Sequence, residues 1–421
     1  MLRLHHFLLL GVLVVISTAR RSPNADYVEK LFRTGEYAGR YSDNIIEDAL
    51  LDVPGLVAKY GYPIEVHTVT TPDGYILEVH RIPHGRDQNN TPDPNKPVVF
   101  LFHGLISSSA DYIVLGPGNA LAYILAEAGY DVWLGNARGN FYSRRHVSLS
   151  PSFGRANVDF WKFSWDEIGD IDLPAMIDYI IEETGQPKMH YIGHSQGCTS
   201  FLVLNALRPE YSEKFISFQA LSPGAFFIYN DNLFYRLSIL EGVLEETAYA
   251  IGLGEVLGSR QFFTWFGTNV CTQGPALGFI CDSLLNLNNP DYYNSTMTPL
   301  FFGHAPAGSS VRQVMHYAQG LNTHKFRRYN DIPIRNIERY GRPTPPEYDL
   351  NRVTVPTHLY YSYSDDIAHY LDVEHLADNL PNVIDRIIME RFSFTHFDFI
   401  WGIDVKEQLY DKLLEIMLSY H

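Results

Sequence analysis

Met189-His-Tyr-Ile-Gly-His-Ser-Gln-Gly-Cys-Thr-Ser-Phe-Leu-Val-Leu-Asn-Ala-Leu207 runs from a short apolar strand, across a turn of two glycines and a serine, into an apolar helical segment. Within it Gly193-His194-Ser195-Gln196-Gly197 fits G-x-S-x-G. A strand before and a helix after are the setting in which this pattern projects a serine hydroxyl from a strained turn. The glycines remove side chains where strand and helix crowd, and the helix N-terminus favours negative charge beside Ser195. Without those flanks the pattern is an ordinary glycine-rich turn. With them Ser195 is the candidate nucleophile.

Outward from this turn the chain alternates. Lys96–Phe102 is an apolar run without polar interruption after Pro97, as a strand covered on both faces must be. A helical stretch over Ala120–Ala128, a strand over Tyr130–Leu134 and a helix over Asp170–Glu183 lead to the turn, and the strand Phe215–Leu221 follows it. Strands alternating with helices predict a parallel sheet with crossover helices. Upstream, Asp43–Tyr60 reads as a helix stopped by Pro63, and Glu65–Thr70 and Tyr75–Ile82 flank Thr71-Pro-Asp-Gly74 as a hairpin. From about Ala225 to Asp349 the rhythm breaks into a stretch rich in Phe, Leu, Tyr, Gly and Pro, with a helical fragment over Leu237–Ile251. It resumes at Val355–Ser362 and Val383–Met389, and a helix over Val405–Tyr420 closes the chain. The expected architecture is α/β, a mostly parallel sheet interrupted by a helical cap. Its divisions are 1–19 as a signal peptide, 20–224 as the first part of the core, 225–350 as cap and lid, and 351–421 as the last part of the core.

A serine hydroxyl needs a base, and in this arrangement the partners follow in the order Ser, Asp/Glu, His. Ser362-Tyr-Ser-Asp-Asp366 ends a strand and brings Asp365 and Asp366 to the carboxyl edge of the sheet; the pattern alone leaves both open. Of the later histidines, His369 and His375 stand too close behind the acid and belong to a surface helix, while His421 is terminal. His396 lies in the loop Phe392–Phe399 after the strand Val383–Met389 and is the candidate base. Phe102-His-Gly-Leu105 follows the first apolar strand, so the N–H groups of Leu105 and Gln196 are the candidate oxyanion donors. The sequence has no H-E-x-x-H, paired C-x-x-C, P-loop or G-x-G-x-x-G pattern, and no cofactor or metal is assigned.

Composition sets the remaining bounds. The 421 residues are 46% hydrophobic and 19% charged, enough for one large core with an insertion. A net charge of −16 argues against nucleic acid and against electrostatic docking on anionic membranes. Arg3, the apolar run Phe7–Ile16 and the small residues Ser17-Thr-Ala19 have the order of a secretory signal, and the run is too short to span a bilayer. Sequons at Asn89 and Asn294 suit that route. A bond between Cys271 and Cys281 would close one small loop and leave Cys198 as the odd thiol in the helix behind Ser195.

These motifs together make the chain similar to the animal acid lipases, the group of gastric lipase and lysosomal acid lipase. The resemblance rests on Val53-Pro-Gly-Leu56, Tyr60-Gly-Tyr-Pro63, Thr71–Leu77, His103-Gly-Leu105, and Asn136-Ala-Arg-Gly-Asn140 with Ser143–His146. It continues through Phe160–Glu167, Gly193–Gly197, Ala305-Pro-Ala-Gly308 and Phe397–Gly402. It implies an α/β-hydrolase core with a lid-bearing cap. It also implies hydrolysis of triacylglycerols, cholesteryl esters or related neutral lipids at a lipid–water interface. The family's nucleophile falls on Ser195, its histidine on His396 and its acid on Asp365. Two local departures stand out: Ser362-Tyr-Ser precedes Asp365 where the family often has Gly-Gly-x, and Asp366 follows it in place of a hydrophobe. A secreted protein, of the extracellular space or gut lumen, or a lysosomal one is implied, with no transmembrane segment and an oligomeric state left open. Two other readings stand beside the lipase: a small-ester carboxylesterase or acyltransferase on the same triad, and a non-catalytic lipid-binding protein that kept the fold.

Overall fold

The computed structural model describes residues 42–87, 90–230, 244–272, 281 and 292–421. The signal segment, Asn89 and the start of the fragment Leu237–Ile251 lie outside the described residues.

Val98, Phe100 and Phe102 point into one apolar cluster and Val99 and Leu101 into another, so this strand is covered on both faces. It is β3 (Val98–Phe102) of a nine-stranded sheet. The sheet also contains β1 (Glu65–Thr70), β2 (Tyr75–Ile82), β4 (Asp131–Gly135) and β5 (Arg145–His146). Beyond them stand β6 (Met189–His194), β7 (Phe215–Leu221), β10 (Thr357–Tyr361) and β11 (Val383–Ile388). The order is β1-β2-β4-β3-β6-β7-β10-β11, with β5 beside β2. From β4 to β11 all neighbours are parallel, and β1, β2 and β5 make the antiparallel margin. A separate pair, β8 (Glu255–Val256) and β9 (Ser309–Ser310), lies between β7 and β10 in sequence.

Among the helices are α1 (Asp43–Leu50), α2 (Val53–Lys59), α3 (Leu121–Glu127), α4 (Leu173–Thr184) and α5 (Gln196–Leu207). They continue with α6 (Thr298–His304), α7 (Val311–Thr323), α8 (Tyr370–Asn379) and α9 (Asp411–Leu418). Residues of α4, α5 and α8 join the cluster of Phe100, and residues of α3 and α9 join that of Leu101. The stretch after β7 does not stand apart. Phe326, Tyr348 and Leu350 enter the first cluster, and Leu300 and Phe301 the second.

Three expected helices differ in detail. The one expected over Asp43–Tyr60 is two, because the Asp52 side chain caps Gly55 at 2.8 Å and Pro54 opens a new first turn. The helix expected from Asp170 begins at Leu173 after a wide turn over Ile168–Asp172, and that expected from Val405 has a similar turn at Lys406–Tyr410 before α9.

Candidate active site

The turn between β6 and α5 explains its own sequence. Ser195 has φ 52° and ψ −116°, a conformation that costs a non-glycine residue on the order of 1–3 kcal/mol and must be held by its surroundings. Here the Ser195 N–H donates to Leu221 O at 3.0 Å, and its carbonyl accepts from Cys198 N–H at 3.0 Å. A Cβ on Gly197 would lie 2.1 Å from Phe102 O, and one on Gly193 would lie 2.8 Å from the Cys198 nitrogen. Both positions must be glycine for α5 to approach β3 and β6 this closely. Cys198 is buried, its thiol donating to Gly193 O at 3.0 Å.

Asp365 follows β10 and is buried. Its Oδ1 accepts the N–H groups of Ile367 at 2.9 Å and Ala368 at 2.8 Å. His396 Nδ1 lies 3.1 Å from Oδ1 and 2.9 Å from Oδ2, so Nδ1–H donates to the carboxylate. Burial alone would push the Asp365 carboxyl up. The charge of His396, hydrogen bonds from His396 and Ser222, and the Ala368 N–H outweigh it and hold the group below its usual range. Asp366, beside it, is exposed, and the carboxylate hydrogen-bonded to His396 Nδ1 is that of Asp365. Partial burial and the charge of Asp365 raise its carboxyl.

Ser195 and His396 are brought to adjoining loops by His194, whose Nε2 donates to His396 O at 3.1 Å and whose ring centroid is 4.8 Å from that of His396. The Ser195 hydroxyl itself makes no hydrogen bond among the described residues. Such contacts are often long before substrate arrives. Burial and then the charge of His396 push His194 down to about 3, so it stays neutral and serves as a donor.

The β3 end is fixed from beside it. Burial lowers His103 to about 4. Its Nδ1 donates to Gly104 O at 2.8 Å, and its Nε2 accepts Ala137 N–H at 3.1 Å. Asn140 joins it to Asn136, whose Oδ1 accepts Ser109 N–H at 3.0 Å. A Cβ on Gly104 would come within 3.3 Å of the Ser195 Cβ, which measures how closely this loop passes the turn. Among the described residues, neither Leu105 N–H nor Gln196 N–H donates to a backbone or side-chain acceptor. The Gln196 side chain is bound from across the chain, Nε2 donating to Gln313 Oε1 at 2.6 Å. Gln313 sits in the first turn of α7, its N–H capped by Ser310 Oγ at 3.0 Å. Ala307 N–H donates to Ile106 O at 2.6 Å, so Ala305-Pro-Ala-Gly308 packs against the same loop.

Sequence reasoning missed Ser222, Gln313 and the tether from His194. Ser222 alone had a visible signal, as a polar residue just past the carboxyl end of a parallel strand. Cys271 and Cys281 are bonded to each other. Asn294 is exposed, with its side chain accepting from Thr296 N–H at 3.1 Å. Among the described residues no cluster of His, Cys, Asp and Glu has metal-binding geometry, and no helix is long and apolar enough to cross a membrane. A cavity of about 530 Å³ lined by Pro97, Lys188, Ile216 and His421 lies at the amino ends of β3, β6 and β7, away from Ser195.

A serine on such a turn, at the carboxyl edge of this sheet, defines an α/β hydrolase. The family models that match are a partial alpha/beta-hydrolase lipase region over residues 53–116 and the alpha/beta hydrolase fold over residues 97–251. A solved structure from Sulfolobus solfataricus superimposes with a TM-score of 0.57 at 15% identity, covering 85% of this chain and 94% of that one, and bears on the fold alone. Among curated relatives, Lipase 1 of Drosophila melanogaster is 41% identical over 89% of this chain and 81% of its own. Gastric triacylglycerol lipase of Rattus norvegicus is 37% identical over 88% and 92%. Lysosomal acid lipase/cholesteryl ester hydrolase of Homo sapiens is 35% identical over 88% and 91%. The chain belongs to the animal acid lipase family and is an ester hydrolase.

Proposed function

We propose that the protein is a neutral-lipid lipase in which Ser195, His396 and Asp365 form the catalytic triad. The observation that carries the proposal is the Asp365–His396 pair held, through His194, beside the strained turn of Ser195. His396 Nε2 takes the Ser195 proton as Oγ attacks the ester carbonyl carbon. Asp365, accepting Nδ1–H, fixes the tautomer and stabilises the imidazolium. The Leu105 and Gln196 N–H groups receive the carbonyl oxygen as it becomes an oxyanion. The imidazolium returns its proton to the departing alcohol. Water, deprotonated by the same imidazole, then releases the fatty acid and restores Ser195.

Triacylglycerols, with cholesteryl esters in the same class, are the substrates named for the gastric and lysosomal relatives. An overall charge of −16 favours an uncharged lipid surface over an anionic one. Residues 225–350 serve as cap and lid over the acyl site. Residues 1–19 direct secretion, to the extracellular space or gut lumen or to the lysosome, and Asn89 and Asn294 carry glycans. Rates on emulsified long-chain triacylglycerol and on soluble short-chain esters separate the readings. A lipase is faster on the emulsion. An esterase or acyltransferase prefers the soluble ester or transfers the acyl group to an added alcohol. Loss of both rates in Ser195→Ala is expected, and an undiminished rate overturns the triad.

A further inference from the structure

We infer that Ser222 is a positioning residue whose hydroxyl joins Asp365 and His396 in a closed ring of hydrogen bonds, keeping the carboxylate ionised and the imidazole in its Nδ1–H form under acidic conditions. The inference rests on the triad reading above and concerns how that site is tuned. Ser222 is fully buried one residue past β7. Its O–H donates to Asp365 Oδ2, and its oxygen lies 2.7 Å from His396 Nδ1. Nδ1–H is therefore shared between the carboxylate and the hydroxyl.

The backbone around Ser222 is specialised for this contact. Its φ is 48°, where a side chain is strained and glycine is not. Its N–H donates to Tyr360 O at 2.8 Å, which pins the strained residue to β10. The preceding residue, Leu221, accepts the Ser195 N–H. Two consecutive residues at the end of β7 thus hold the backbone of the nucleophile and the side chains of the acid and base.

Removing the hydroxyl leaves Asp365 Oδ2 with the imidazole as its one remaining donor among the described residues, since Ile367 and Ala368 bind Oδ1. A carboxylate stripped of a donor takes a proton more readily, and it also holds an imidazolium beside it more tightly. Both effects act in the same direction, moving the acid limb of the rate profile to higher pH. Other titratable groups face the pair. His194 and His103 are kept neutral by burial, and Asp366 is an exposed carboxylate; none can replace the lost O–H donor.

The test compares Ser222→Ala and Ser222→Gly with the parent protein, recording kcat and kcat/KM against pH on a soluble ester. Loss of one hydrogen bond to a charged group predicts a shift of the acid limb upward by about one pH unit in both variants. The plateau kcat should fall by less than about tenfold. Glycine relieves the backbone strain and alanine does not, so a merely structural role predicts different melting temperatures and an unshifted profile. The Nδ1 proton of His396, followed by NMR in folded Ser222→Ala, should move from its parent position. Unshifted profiles and an unmoved resonance overturn the role of Ser222 while Ser195→Ala still abolishes hydrolysis. If Ser195→Ala retains hydrolysis, the triad reading falls instead.

Discussion

His194 Nε2 donates to the backbone carbonyl of His396 at 3.1 Å, so the residue before the proposed nucleophile holds the loop that carries the proposed base. The two residues are 202 positions apart in sequence, and neither chain segment alone fixes their distance. Burial and the charge of His396 push His194 down to about 3, and Nε2–H remains a donor whether or not the ring takes a second proton.

His194→Ala removes this tether without touching Ser195, Asp365 or His396. Misplacing a catalytic group by about 1 Å costs on the order of 10²-fold, so kcat should fall about 10–100-fold with KM little changed. Steady-state kinetics beside a thermal melt check it. A parental kcat in a folded variant would remove His194 from the account.

The two adjacent aspartates should separate cleanly. Asp365→Asn presents an amide where Nδ1–H needs an anion, and kcat should drop on the order of 10⁴-fold, the size seen when a triad loses its acid. Asp366→Asn, exposed and outside the pairing, should change kcat by no more than about threefold. Equal losses in both variants would show that the carboxylates share the role.

The sheet and the Ser195 turn were legible because each rests on local pattern. An apolar strand, two glycines and a helix lie within 19 consecutive residues, and the unbroken run at β3 announces cover on both faces. Asp365 and His396 followed from chain order, since strands β10 and β11 deliver both to the same edge. Ser222 showed only as a polar residue just past a parallel strand and Gln313 not at all, and the contacts of neither were legible, because their partners lie far away in sequence, at Asp365, His396 and Gln196. The break between α1 and α2 was masked by apolar spacing that runs through it, although Asp52 and Pro54 mark a fresh start.

Gly197→Ala tests the packing beneath the nucleophile. The added Cβ would sit 2.1 Å from Phe102 O, a backbone atom that cannot step aside without moving β3. Loss of soluble protein, or a melting temperature lowered by more than about 5 °C together with lost activity, is expected. Parental stability would mean that α5 can shift independently of β3.

Asp111 provides a stability signature. Burial pushes its carboxyl up to about 7, against an opposing contribution from Ser107, and its Oδ2 has no hydrogen-bond partner among the described residues. A carboxyl whose folded-state pKa is raised stabilises fully below its unfolded value near 4, and that stability is lost as pH rises toward 7. Asp111→Asn stays neutral throughout. Its melting temperature relative to the parent should therefore rise between pH 4 and 7 and level off above, reflecting on the order of a few kcal/mol. A gap independent of pH would contradict this.

Covalent capture of the nucleophile tests the central claim most directly. A fluorophosphonate applied to the folded protein should label one peptide, at Ser195, with release of fluoride, and labelling should slow by at least about 10³-fold in His396→Ala. Label on another residue, or a labelling rate unchanged in His396→Ala, would contradict it.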